Sequence, residues 1–141
     1  MSEFVIIPRL VVADGNAAAD YYLACFGGVE RERAFLPDGR MVQAEIVIGG
    51  QELFVTQADG ETALGPDDLG GSPVLLTVRV ADADATWAAL LEGGASVVYP
   101  LADQFYGRRE GRLRDPFGHL WIVSQPLDPT TPSAPDPRPE D

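Results

Sequence analysis

The sequence predicts an α+β fold in which one βαβββ module is used twice, giving two cupped mixed sheets with helices outside. Three observations predict it. The hydrophobic periodicity runs strand, helix, strand, strand, strand, and then repeats that order. The second round follows the first at one fixed offset: Asp82 lies 68 residues after Asp14, Gly107-Arg108 lies 68 after Gly39-Arg40, and Gly118 lies 68 after Gly50. Finally, the junctions carry residues suited to caps and turns, with aspartates ahead of both helices and glycines behind them.

The first module spans about residues 3–57. "EFVIIPRLVV" is rich in β-branched residues and predicts a strand. Asp14 is placed to cap the helix "GNAAADYYLACF", whose alanines and spaced aromatics suit an amphipathic helix closed by Gly27 and Gly28. Three strands follow, "VERERAF", "RMVQAEIVI" and "QELFVTQ", with Pro37-Asp38-Gly39 turning the first into the second. Residues 58–72, "ADGETALGPDDLGGS", form a long Gly- and Asp-rich connection, either a mobile lid or a plain linker. The second module, about 73–125, repeats the plan: strand "PVLLTVRV", cap Asp82, helix "ADATWAALLE", stop at Gly93-Gly94, then "SVVYP", "GRREGRLR" and "HLWIVSQ". Asp115-Pro116-Phe117-Gly118 matches a type I turn, with Asp first, Pro second and Gly fourth. The remaining "PLDPTTPSAPDPRPED", 126–141, has too few apolar side chains for a core and is expected to be a flexible tail.

A chain of 141 residues that is 45% hydrophobic can form one domain with a real core, here residues 1–125. Its formal net charge of −12 would repel a phosphate backbone, which argues against a nucleic-acid partner. All 10 basic residues are Arg, which removes lysine Schiff-base chemistry. The single cysteine, Cys25, permits no internal disulfide or multi-cysteine zinc site and is expected to be a buried helical residue. No apolar run is long enough to span a membrane and the N-terminus lacks a signal-peptide pattern, so a cytoplasmic protein is expected. There is also no Ser-His-Asp pattern and no phosphate-binding glycine loop.

The stretches "DGNAAADYYLACFGG" (14–28), "PDGRMVQAEIVIGG" (37–50) and "YGRREGRLRDPFGHLWIVSQ" (106–125) resemble the vicinal oxygen chelate superfamily of glyoxalases, ring-cleaving dioxygenases and bleomycin-resistance proteins, with a particular likeness to its PhnB-like branch. The resemblance covers nearly all of residues 1–125. It implies paired modules, a homodimer, and ligand sites in the cupped sheets. In metal-using relatives, ligands fall seven residues before each helix-cap Asp and four after each hairpin Gly. Here those places hold Ile7, Leu75, Phe54 and Ile122. Hydrocarbon has no lone pair to replace a cation's hydration, so neither a metal nor any other cofactor is expected.

If those four face the cup, their neighbours at i±2 share it, including Arg9 and Glu52. Gln43 and Glu45, two apart in "VQAEIV", share a face as well. An apolar floor with scattered polar groups suits a small organic molecule, and the acidic surface favours a cationic one. The candidate ligand-binding set is therefore Ile7, Arg9, Gln43, Glu45, Glu52, Phe54, Leu75, Phe105, Tyr106, Arg112 and Ile122, with no residue assigned a catalytic role. Arg112 belongs to a strand without a clean apolar side. Solvation at a sheet edge is the favoured reading of its arginines, and an inward Arg holding an anion is the other. The rival function is a glyoxalase-type lyase, isomerase or dioxygenase whose metal is displaced onto Gln43, Glu45, Glu52 or His119.

Overall fold

The computed structural model describes residues 4–127, so the expected tail lies outside it from residue 128 onward. The order is β1 (Arg9–Val12), α1 (Gly15–Phe26), β2 (Val29–Phe35), β3 (Met41–Ile48), β4 (Gln51–Gln57), α2 (Pro66–Leu69), β5 (Leu75–Arg79), α3 (Ala83–Glu92), β6 (Ser96–Asp103), β7 (Arg108–Arg114) and β8 (Leu120–Pro126). Two four-stranded mixed sheets result, ordered β1-β4-β3-β2 and β5-β8-β7-β6. In each, the strand before the helix pairs in parallel with the last strand of the module, and the other pairings are antiparallel. Contacts divide the chain into two units. Of the described residues, one unit holds those through Val74 together with Pro116–His119, and the other holds Leu75–Asp115 with 120–127.

The aspartates do what their positions predict. Asp14 accepts the Ala17 N–H and Asp82 the Ala85 N–H, each at 3.1 Å, satisfying one orphan donor at each helix start. A second repeated device supports them. The Gln57 side-chain carbonyl accepts from Gly15 N at 3.4 Å, and its counterpart 68 residues on, Gln125, accepts from Ala83 N at 2.7 Å. The turns before β3 and β7 also match: Gly39 (φ 92°) and Gly107 (φ 86°) take the left-handed conformation that closes Leu36 N onto Arg40 O and Gln104 N onto Arg108 O.

Alternation decides the faces. In the first unit Leu10, Val12, Ala44, Ile46, Leu53 and Val55 are buried on the side that meets α1, where Ala18, Ala19 and Tyr22 are buried too. Phe117, from the turn after β7, belongs to this unit and packs edge-on against Tyr21 at 5.6 Å. In the second unit Leu113, Trp121 and Val123 are buried with Ala83 and Leu90 of α3. The Trp121 indole N–H donates to Asp115 at 2.8 Å, which satisfies both buried polar groups.

Several expectations change. The first strand begins only at Arg9, because Pro8 has no N–H to add to the ladder. β7 is not an edge strand but lies between β8 and β6, so edge solvation does not explain its arginines. Cys25 is half-buried rather than buried. The 58–72 connection contains local structure that the sequence reading did not anticipate: an Asp59 loop and the single turn α2, where Asp68 accepts from Gly65 N at 2.9 Å. No helix among the described residues is long and apolar enough to cross a membrane.

Candidate functional site

Each sheet turns one face to its helix, and the chemistry sits on the other. In the first unit the register sets Arg9 and Glu45 on either side of Phe54, opposite the buried face of Leu10, Ala44 and Val55. Their side chains form one hydrogen-bonded chain. Arg9 lies 5.4 Å above the Phe54 ring and donates to the Gln43 carbonyl at 2.5 Å. Gln43 in turn donates to Glu45 at 2.6 Å, and Arg31 bridges Glu45 (3.0 Å) and Glu52. The Glu52 carboxylate first, and Glu45 after it, raise the Arg31 guanidinium above its ordinary value. Two arginines and two glutamates leave this patch locally neutral within a chain of net charge −12. The apolar floor expected here is thus a polar network laid over Phe54.

The open face of the second unit is different. Arg112 stands between Ile122 and Tyr99 in the register, and its guanidinium lies 5.1 Å from the centre of the Tyr99 ring. Its Nε is buried and has no hydrogen-bond partner. Leu75 opens β5 at this face and is 45% exposed, while Tyr99 is 60% exposed. Phe105 and Tyr106 sit in the turn between β6 and β7. Their rings meet edge to face at 5.1 Å, and the Tyr106 hydroxyl donates to Glu110 at 2.6 Å. Arg109, on the helix side of the same strand, is clamped by Asp84 and Asp103, which raise its pKa in that order.

The structure therefore gathers Arg9, Gln43, Glu45, Glu52 and Phe54 in one unit, and Leu75, Phe105, Tyr106, Arg112 and Ile122 fall in the other. Ile7 lies just outside β1, beside the Pro8 carbonyl that accepts the Phe54 N–H at 2.9 Å. Sequence reasoning missed Arg31 and Tyr99. The alternating charges of "VERERAF" hinted at Arg31, but the irregularity between Glu30 and Glu32 breaks the simple alternation. Tyr99 lies inside the predicted strand "SVVYP", but register shifts on either side of it break the alternation that would assign its face.

His119 is buried, and its Nε2 lies 2.8 Å from the Val11 carbonyl, an interaction that requires the proton on that nitrogen and makes the ring a clasp between turn and strand. At the four positions where the resemblance implies metal ligands, Ile7, Phe54, Leu75 and Ile122 carry hydrocarbon side chains, which offer a cation no lone pair. Among the described residues no group of three or more His, Cys, Asp or Glu side chains is arranged to hold a metal ion.

The family model for the Glyoxalase/Bleomycin resistance protein/Dioxygenase superfamily matches residues 5–123. The chain belongs to that superfamily. An uncharacterised protein of Mycobacterium tuberculosis is 40% identical over 129 residues, covering 89% of this chain and 76% of its own. Among solved structures, TioX from Micromonospora sp. ML1 is 25% identical with a TM-score of 0.67, over 88% of this chain and 99% of its own. A PhnB protein from Bacillus cereus has a TM-score of 0.71 at 16% identity, over 86% of this chain and 99% of its own. The last likeness is one of fold, so within the superfamily the activity has to be argued from the site.

Proposed function

We propose that this superfamily member binds a small organic molecule on the open face of its sheets without a metal ion, in a binding or resistance role rather than as a catalyst. One observation carries the reading: the four positions where relatives place metal ligands hold hydrocarbon, and the nearest carboxylates, Glu45 and Glu52, are already engaged by Arg31. A ligand would find apolar contact at Phe54 or at Ile122 and Leu75, with orientation supplied by a few polar groups. The ligand's charge would be set by those local groups more than by the net charge, because the first unit's face is neutralised.

A homodimer and a cytoplasmic location belong to the same proposal. Support for the dimer comes from the run Phe4 to Ile7, exposed at 78, 69, 79 and 36%, since consecutive apolar side chains in water mark a surface that a second chain would cover. The rival, a metal-dependent glyoxalase-type enzyme, is favoured only by Gln43, Glu45 and Glu52 lying in one network. It requires Arg31 to leave.

Protein-observed NMR with neutral aromatic fragments, run with and without a chelator, tests the reading. Amides around Phe54 or Ile122 should shift equally in both, and dialysed protein should retain no divalent ion. One tightly held transition ion per chain, with fragment binding lost on chelation, would transfer the case to the enzyme.

A further inference from the structure

The open face of the second unit carries a cation that the fold leaves unsatisfied. Arg112 lies on an interior strand, Glu110 on the same face is occupied by the Tyr106 hydroxyl, and Arg112 has no ion-pair partner among the described residues. Its Nε–H is out of water and donates to nothing. A buried donor left unpaired is costly, and native structures keep such groups mainly where something else uses them. The other arginines near it show what satisfaction looks like: Arg109 takes two carboxylates and Arg108 lies 3.4 Å from the Ser124 hydroxyl.

We infer that Arg112 is the specificity determinant of the second unit's face and that it selects a planar organic carboxylate, with Tyr99, Ile122 and Leu75 holding the ligand's apolar part. This rests on the proposed binding role and adds the ligand class to it. A carboxylate takes an arginine through two parallel N–H donors, and the Nε edge of the guanidinium is the edge that meets no acceptor in the chain. Tyr99 now lies over that group. It sits on the edge strand β6 and is 60% exposed, so its ring can turn aside and become a wall against an aromatic ligand. The acidic character of the chain as a whole works against any anion, which makes an unpaired arginine here harder to attribute to general surface charge.

Three probes of nearly one shape separate the possibilities: benzoate, benzamidine and benzyl alcohol, titrated into the full chain by NMR. Benzoate should shift the amides of Tyr99, Arg112 and Ile122, and Arg112→Met should weaken it at least tenfold while leaving benzyl alcohol unchanged. Arg112→Lys, which keeps the charge but offers no paired fork, should lose nearly as much. Both variants should melt close to the parent, since neither removes a satisfied hydrogen bond of Nε. Benzoate binding that survives in the Met variant, that is fully kept by the Lys variant, or that is absent altogether overturns the inference. So does benzamidine shifting the same amides as strongly. If benzyl alcohol binds that face and benzoate does not, the ligand class fails and the binding role stands; if none of the three binds, both fail.

Discussion

Replacing Gly111 with alanine should destabilise the second unit through a collision at the back of the strand that carries Arg112. Gly111 is buried on β7, and a Cβ placed there would lie 2.6 and 2.7 Å from Cη2 and Cζ3 of Trp87 and 2.8 Å from the Leu101 Cα. Carbon atoms rest at about 3.5–4.0 Å, so the new methyl would intrude by roughly 0.9 Å on the indole and about as far on backbone. Its backbone is not in the left-handed region, so the cost is steric alone. The Trp87 ring can yield only by turning or by moving α3, and the Leu101 Cα cannot rotate away. Overpacking of this kind costs about 1–3 kcal/mol, which for a domain of this size lowers the melting temperature by roughly 4–12 °C. Thermal unfolding followed by circular dichroism measures the loss. Trp87→Leu should relieve part of it in the double variant, giving a coupling of at least about 0.5 kcal/mol. A Gly111→Ala protein that melts with the parent, or strictly additive single effects, would refute the close approach.

The paired glutamines make an unequal prediction. Gln125→Ala leaves the Ala83 N–H, now 2.7 Å from its acceptor and part-buried, without a partner and should cost about 1–2 kcal/mol in urea unfolding, whereas Gln57→Ala, removing a 3.4 Å contact, should cost only a few tenths. Equal losses would contradict the geometry. Asp59 accepts the backbone N–H groups of Glu61, Ala63 and Thr62, with Glu61 the largest influence, and its carboxyl is held down to about 2 against an ordinary 3.8. A lowered folded pKa means that its contribution to the loop is complete above the ordinary value and is lost as pH falls through about 2. The amide signals of Glu61, Thr62 and Ala63 should therefore hold steady down to about pH 3 and then move; a transition centred near 3.8 would dismiss the capping role.

Most of the fold was legible because its signals are local. Both long helices fall on the residues their caps predict, since Asp14 and Asp82 act within three residues of themselves. β2 and β4 also match the predicted stretches, because the alternation and the flanking turns are complete within each. Where pairing partners decide, the reading weakens. Nothing local says that "GRREGRLR" lies between two strands rather than at a margin. Its place follows from pairing on both sides, with β6 through contacts such as Tyr99–Arg112 and with β8 through Arg112–Ile122, and neither partner is written in the stretch itself. The one-turn helix at Pro66–Leu69 was missed because four residues carry no period.

The site was less legible for a reason that the register makes plain. The offset of 68 that aligns the turns and the last strands fails in the strand between them. Phe54 and Ile122 are 68 apart and equivalent, and their partners across the ladder are Glu45 and Arg112, which are only 67 apart. The missing residue is accounted for in β3, where pairing jumps from Phe35–Met41 to Ala34–Gln43 and Val42 is the extra one, a β-bulge. Applied blindly, the repeat would match Glu45 with Leu113, which is buried on the helix side. A slip of one residue inverts the faces of a strand. Corrected for the bulge, the two modules place opposite charges at one position: a glutamate that Arg31 and Gln43 satisfy in the first, and an arginine that no acidic side chain among the described residues answers in the second. The two modules thus share one frame while their open faces differ. The first closes on itself through its own ion pairs, and the second keeps a donor in reserve, so a ligand that discriminates between the modules should be read by Arg112 rather than by Glu45.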